Sequence, residues 1–417
     1  MLRRKFINLS ASTAIAAASC QVRKDPSDPR PVNYEALDQV LSTPLFKKEL
    51  FDEPVIIESL ELLRYRQNFI CRVRDSNGAT GYSVSNNMQM ISLYPIFITR
   101  LQPFFIGKDA RELETLLRQV YVYRSNYKLQ NLALWVPLAT IEFALLDLLG
   151  RIVNKPMGEL IGSTVNKRIS VYRANNFRGK SPEESLEGIV KNVEESGSKA
   201  LKFKIGGRMS NNIDFPAGRT ETLIPLVRST FGDRMTIYAD SNGSYSAEKA
   251  IEVGKLLEAY HIDFYEEPVP FDWYEETKQV ADNLNIPIAG GEQEPSMHQF
   301  RWLIANDALD IVQPDIFYFG GMIRSMKVAL MAHTRGKVCI PHISGSGLGY
   351  LYMMHFVSVL PNAGPFHEFK GFNSDIPLQC ETSDLVTIDG SIQVPSGPGN
   401  GIEMDPEFIG RHEAVTG

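Results

Sequence analysis

The chain has 417 residues, 43% hydrophobic and 22% charged, with 31 Gly, 24 Pro and 4 Cys. That composition excludes disordered, collagen-like and low-complexity architectures, and leaves room for two or three domains, or fewer if one is a large barrel. Acidic and basic residues nearly balance, 49 against 43 for a net charge of −6, and no long block interleaves Lys and Arg with aromatics, which argues against a nucleic-acid partner.

Residues 1–20, MLRRKFINLSASTAIAAASC, read as an export signal: Arg3, Arg4 and Lys5 precede an apolar stretch from Phe6 to Ser19, shorter than the ~20 residues a membrane helix needs. Arg3 and Arg4 ahead of Phe6 resemble a twin-arginine signal, and Ala17-Ala18-Ser19-Cys20 resembles a lipoprotein cleavage box that would leave Cys20 lipidated. On this reading the mature chain carries a charge near −9 and is exported, either periplasmic or held at a membrane through the lipid on Cys20 alone. Without the signal it is cytoplasmic. Cys71, Cys339 and Cys380 are widely spaced and form no CxxC pattern, so neither a disulfide framework nor a structural zinc site is indicated.

Residues 21–51 are read as a tether and amino-terminal extension, polar and Pro-containing from Gln21 to Pro31. VIIESLELLRY and NFICRVRDSNGATGYS then alternate as exposed strands, with a hairpin turned at Asn77-Gly78. From Asp109 to Gly150 the apolar spacing becomes helical, Ile141, Leu145, Leu148 and Leu149 sharing a face and Gly150 standing as the stop. Residues 52–165 therefore form an α+β unit. From Ile169 onward eight short apolar runs, ISVYRA, ALKFKIG, MTIYAD, DFYEEP, IPIAGGE, ALDIVQPD, KVCIPH and PFHEFK, alternate with helical stretches. That rhythm predicts an α/β fold of TIM-type barrel over 166–370, and the polar residues closing several runs on their carboxyl side fall where such a barrel places its chemistry.

In ALKFKIG, strand alternation turns Lys202 and Lys204 into the barrel and Leu201, Phe203 and Ile205 toward the helices. Asp240, Glu266 and Glu292 each end one of the next three strands. Three carboxylates brought together raise one another's pKa unless a cation is present, and a hard divalent ion such as Mg2+ resolves the repulsion. Glu267 alternates outward from Glu266 and is left off the metal set. Asp315 ends VQPD and His342 ends CIPH on the next strand. A carboxylate beside a histidine holds its tautomer and raises its basicity, which makes an acid/base able to work near neutral pH.

These residues resemble the mandelate racemase and muconate lactonizing branch of the enolase superfamily, from about Val55 to Lys370. FIGKDARELETLLRQV, ATIEFALLDLLGRIVNKPMGELIG and QPDIFYFGGMIRSMKVALMAHTRG are similar to that family, Lys202-Phe203-Lys204 to its Lys-x-Lys motif, Asp240, Glu266 and Glu292 to its metal ligands, and Asp315 with His342 to its dyad. Glu368 in FHEFK falls where the family often places an acid. No lysine closes the sixth strand, so the mandelate racemase subgroup is the nearer match. The resemblance implies a (β/α)7β barrel with an amino-terminal α+β capping domain, a carboxyl-terminal segment (371–417) returning to the cap, one Mg2+ per site and a homo-oligomer.

The implied reaction removes the proton α to a carboxylate through an enediolate. Lys204 is the base on one face, its pKa lowered by Lys202, and the Asp315–His342 dyad serves the other; Glu368 either donates to a substrate oxygen or binds a hydroxyl. The analogy favours dehydration of a sugar acid to a 2-keto-3-deoxy acid, with a racemase, epimerase or cycloisomerase as the alternative and a non-catalytic, lipid-anchored sugar-acid binding protein as the rival from another class. VIIESLELLRYRQNFICRV leaves little room for the family's first specificity loop. A lid is then expected from LSTPLFKKELFDEP or SVSNNMQMISLY, with Arg173, Asn175, Asn176 and the insertion GGRMSNNIDFPAGR as further candidates for contacting a polar substrate.

Overall fold

A computed structural model describes residues 32–344, 347–371 and 376–416. The export signal, with Arg3, Arg4 and Cys20, lies outside the described residues. A first sheet holds β1 (Ile57–Tyr65), β2 (Asn68–Asp75) and β3 (Thr80–Val84) in antiparallel order. The β1–β2 connection is a two-residue turn with Arg66 at φ 55°, so no long loop exists there. The β2–β3 turn does fall at Asn77-Gly78: Gly78 takes φ 91°, and the Asp75 carboxylate accepts from the Asn77 and Ala79 amides at 3.1 and 2.7 Å.

Helices α1 (Glu35–Ser42), α2 (Asn87–Ile96), the single turn α3 (Gln102–Phe105), α4 (Leu113–Val122) and α5 (Leu132–Ile152) complete this part of the chain. The polar stretch from Gln21 to Pro31 lies outside the described residues, and the extension after it forms α1, which packs on the barrel: Arg301 pairs with Asp38 at 2.6 and 2.7 Å and stacks over Tyr34 at 3.8 Å. One expectation is corrected here. Gly150 does not stop α5, which continues to Ile152; a Cβ there would meet Lys155 O at 2.6 Å and Gly399 Cα at 2.8 Å, so the glycine serves close packing. α5 alone among the described helices is long and apolar enough to cross a membrane, and it is buried almost throughout as a core helix.

The second sheet is parallel: β4 (Arg168–Ala174), β5 (Ala200–Lys204), β6 (Thr236–Asp240), β7 (Phe264–Glu266), β8 (Ile288–Gly290), β9 (Ile311–Val312), β10 (Val338–Cys339) and β11 (His367–Glu368). Its order, β10-β9-β8-β7-β6-β5-β4-β11, is sequential around a ring, and the Cys339–Ala363 bridge leads the last strand back to β10. Helices α6 (Pro182–Ser196), α7 (Arg219–Phe231), α8 (Ala247–Ala259), α9 (Tyr274–Asn283), α10 (Met297–Ala305), α11 (Met322–Thr334) and α12 (Gly349–Ser358) connect them. Eight strands and seven helices make a TIM-type barrel beside an amino-terminal capping domain.

Period-2 alternation builds two layers. Leu201, Phe203, Ile205, Ile237 and Ala239 face the helices, while Tyr172, Tyr238 and Phe264 fill the barrel interior, the last two stacked at 3.8 Å. Past the barrel, β12 (Leu378–Gln379), β13 (Ser391–Gln393), β14 (Glu403–Met404) and β15 (Glu413–Ala414) follow. β15 pairs with β1 in the capping sheet, and β13 pairs antiparallel with β4.

Candidate active site

Strand register assembles the site. Lys204 sits opposite Asp240 on the neighbouring strand and Asp240 opposite Glu266, which puts three charged side chains in one row at the carboxyl ends of β5, β6 and β7. Glu292 follows two residues after β8, Asp315 and His342 are bridge partners just beyond β9 and β10, and Glu368 closes β11 opposite Tyr172. Every candidate from the sequence thus lies at one end of one barrel. Lys202, Lys204, Glu292, His342 and Glu368 line a single cavity of about 600 Å³, while Asp240, Glu266 and Asp315 are buried beside them.

Each metal-candidate carboxylate is turned to one of the basic residues. Glu266 accepts from Lys202 Nζ at 2.7 and 2.8 Å and from Gln313 Nε2 at 3.0 Å. Asp240 pairs with Lys204, and its Oδ1 accepts from the Asn242 amide at 2.8 Å. Glu292 Oε1 accepts from Gln293 Nε2 at 3.0 Å; its Oε2 lies 3.2 Å from His342 Nε2 without hydrogen-bond geometry and is a buried oxygen with no hydrogen-bond partner. His342 Nδ1 lies 2.7 Å from Asp315 Oδ2, whose carboxylate is fixed in turn by the Ser344 amide through Oδ2 and by the Phe317 and Tyr318 amides through Oδ1.

The charges carry the imprint of this crowding. Glu266 is pushed up to about 7 by burial and by the neighbouring Asp240 and Glu292, against the pull of Lys202. Burial alone would raise Asp240, but Lys204, Lys202 and Arg178 hold it well below the usual carboxylate range. Burial would lower Lys202, yet Glu266, Tyr172, Glu368 and Asp240 hold it well above its ordinary value. His342, which burial would also lower, is raised to about 9 by Glu292, Asp315 and Glu368. Glu368 is raised by burial and lowered more strongly by Lys370, Lys202 and His342, so it is held ionised. Of its two expected roles, proton donor or hydroxyl binder, only the second suits an ionised carboxylate.

Three hard oxygen donors that repel one another, one of them with an orphaned buried oxygen, fit a divalent cation. Among the described residues no three such groups stand together in coordinating arrangement; each of these carboxylates instead faces a lysine or His342.

Several residues escaped the sequence reading. Glu267 was placed outward by alternation, but a φ of 42° ends the strand geometry and turns its buried carboxyl toward Asn242 Nδ2, at 3.1 Å. Asn242 Oδ1 also accepts from Lys204 Nζ at 3.1 Å and Arg178 Nη1 at 2.8 Å, and its place two residues past Asp240 was a usable signal. Of the two lid candidates, SVSNNMQMISLY reaches the mouth: Asn86 Nδ2 donates to Ser344 Oγ at 2.7 Å and Gln89 Nε2 to Tyr318 Oη at 3.3 Å. LSTPLFKKELFDEP is held elsewhere, by Glu114, Leu160 and Lys327. Arg173, Asn175 and Asn176 line the cavity, and so does Arg208 from the insertion.

A parallel barrel thus gathers a lysine pair, three strand-end acids and an Asp–His dyad around one cavity, and the family model described as enolase C-terminal domain-like matches residues 185–408. The chain belongs to that family, in its mandelate racemase and muconate lactonizing branch. It is 27% identical over 331 residues to arabinonate dehydratase of Saccharolobus solfataricus, covering 79% of this chain and 86% of that protein. It is 25% identical over 315 residues to D-galactarolactone cycloisomerase of Agrobacterium fabrum, covering 73% and 81%. A mandelate racemase/muconate lactonizing protein from Paracoccus denitrificans, solved in complex with magnesium, superposes with a TM-score of 0.78 at 24% identity over 87% of this chain and 99% of that one. The chain is an enolase-superfamily lyase or isomerase.

Proposed function

We propose that this enzyme removes the proton α to the carboxylate of a sugar acid and eliminates the β-hydroxyl, giving a 2-keto-3-deoxy acid. The observation that carries the reading is the placement of two bases, Lys204 and His342, on separate arcs of one cavity with three carboxylates between them. Asp240, Glu266 and Glu292 would hold Mg2+, and the ion would supply Lewis-acid stabilisation of the charge that develops on the substrate carboxylate.

Lys204 takes the α-proton. It is paired with Asp240, and an ammonium cannot act as a base, so it works only when Asp240 is engaged elsewhere and the Lys204 proton has left. The enediolate electron pair then expels the β-hydroxyl as His342, oriented by Asp315, transfers its Nε2 proton to the leaving oxygen; water departs and the enol tautomerises to the 2-keto acid. Glu368, ionised, accepts from a substrate hydroxyl.

The test is α-proton exchange in D2O with Mg2+ and a panel of sugar acids. Exchange with 2-keto product is expected; exchange without product would instead mark an epimerase, and an isomeric product without loss of water a cycloisomerase. Lys204→Ala and His342→Asn should each lower turnover by about 10²-fold or more. Unchanged exchange in both variants would sink the two-base assignment, and full activity in excess chelator would sink the metal.

A further inference from the structure

Lys204 is held from behind the cavity wall. Its Nζ meets two acceptors, the Asp240 carboxylate and Asn242 Oδ1, the latter at 3.1 Å. Asn242 is buried and its amide is gripped at both ends: Oδ1 also accepts from Arg178 Nη1 at 2.8 Å, and Nδ2 donates to Glu267 Oε2 at 3.1 Å. A reversed amide would set its NH2 against an ammonium and a guanidinium and its oxygen against a carboxyl, so one orientation alone suits these partners. Arg178, on the loop after β4, also donates through Nε to Gly206 O at 3.1 Å and through Nη2 to Ile205 O and Asp240 O, both at 3.2 Å. One guanidinium thus ties the ends of β5 and β6 together and fixes the acceptor that faces Lys204. Among the described residues the cavity is lined by Lys204 but by neither Arg178 nor Asn242.

Resting on the proposed reading, Lys204 acts once Asp240 is engaged elsewhere, and Asn242 Oδ1 is then the acceptor left to it. A neutral amine has two N–H groups and one lone pair, so an N–H donated to a fixed oxygen restricts where the lone pair points. Proton transfer is sensitive to that aim, a misplacement of ~1 Å costing about 10²-fold. Asn242 alone could turn about its side-chain bonds; the guanidinium on one end and the Glu267 carboxyl on the other remove that freedom. The task suits arginine, whose planar fork reaches several acceptors from one rigid group where a single ammonium would not. His342 stands outside this arrangement, since its own orientation comes from Asp315.

We propose that Arg178 is a positioning residue for the α-proton transfer, acting through Asn242 to aim the Lys204 amine at the substrate. The test follows α-proton exchange in D2O with Mg2+ for pairs of sugar acids epimeric at C2, whose α-protons point to opposite bases; Lys204→Ala and His342→Asn assign each epimer to its base. Arg178→Met should slow the Lys204-dependent epimer about tenfold or more while the His342-dependent one stays within about threefold. Equal slowing of both epimers, the mark of a merely structural role, or no slowing of either would overturn the inference. Where only the Lys204-dependent epimer exchanges, the double variant decides: Arg178→Met should cost nothing further in the Lys204→Ala background, and a second tenfold loss there would overturn it. Asn242→Ala, which leaves Arg178 its three carbonyl partners, should give the same selective loss even if Arg178→Met does not fold, and an unchanged epimer ratio in it would overturn the inference. A crystal structure of Arg178→Met, or of Arg178→Lys if that variant does not fold, should show Asn242 Oδ1 moved out of hydrogen-bond reach of Lys204 Nζ; a contact kept at its present length would overturn the inference. That arm needs no turnover, so absence of exchange with any acid would defeat the proposed reaction while the positioning role is still decided.

Discussion

Lys202 and the acids around it define one another's charge. Its Nζ holds both oxygens of Glu266, stands 3.5 Å from Glu368 and 3.8 Å from Asp240, and lies 5.4 Å from the Tyr172 ring, all with about 1% exposure. Removing it leaves Glu266 and Glu368 buried with part of their compensation gone. Lys202→Met should therefore destabilise the fold by about 3–5 kcal/mol in urea unfolding at neutral pH, and added Mg2+ should restore part of that loss by supplying the missing positive charge. A loss below about 1 kcal/mol would show that the barrel mouth reorganises freely. The acids and lysines of this cluster were legible in the sequence because strand-end position and period-2 parity are local properties. Glu267 was not, since one positive φ reverses its side and nothing in FYEEP announces that turn. Arg178 was equally hidden: it donates to backbone carbonyls just past β5 from a position that reads as an ordinary loop arginine, while Arg219, the last residue of GGRMSNNIDFPAGR, donates to Lys204 O.

One carboxyl group in the cap reaches directly into a barrel helix. Glu142, buried in the middle of α5, accepts from the Ile323 amide at 2.9 Å and so caps the first turn of α11 from another part of the chain. Gly321, at φ 113°, leaves the space this carboxyl fills: a Cβ there would fall 1.1 Å from Glu142 Oε2. Burial raises Glu142 to about 8, against the pull of the Ile323 and Met322 amides and Arg324. A carboxyl whose folded pKa lies above its unfolded value holds more protons when folded, so its stabilising effect is complete below the unfolded value of ~4.5 and is lost as pH rises through about 8. Stability measured from pH 5 to 8.5 should therefore fall with pH in the wild type, and Glu142→Gln should flatten that slope. An identical slope in the variant would place the titration elsewhere. The helix itself was legible from its apolar spacing; its true end was not, because Gly150 answers to Lys155 and Gly399, and the latter comes from the far end of the sequence.

At the scale of the whole molecule, the tail joins cap and barrel, and Asp147 is where they are joined. This fully buried residue of α5 accepts from the Tyr82 amide of β3 and the Asn400 amide of the tail, both at 2.8 Å, and pairs with Arg151 at 3.0 Å. Arg151 continues to Ile402 O at 2.8 Å and to Glu403, and Asn400 O lies 2.9 Å from His355 Nε2 on α12, a helix of the barrel. Cap strand, core helix, barrel helix and tail thus share one polar network within an apolar core, where each unsatisfied group costs about 1–3 kcal/mol. Asp147→Ala would orphan the buried Asn400 amide and the part-buried Tyr82 amide and strip Arg151 of its inner partner. We expect a loss of about 3–5 kcal/mol, together with faster tryptic cleavage at Arg411, because β15 stays on the capping sheet only while the chain before it is anchored. Asp147→Asn keeps the shape and one good acceptor, so its loss should be smaller, about 1–3 kcal/mol. Equal losses for the two variants would show that packing volume and not the network holds the tail. Unchanged cleavage at Arg411 in Asp147→Ala would show that the short β1–β15 pairing holds the tail without help from Asp147.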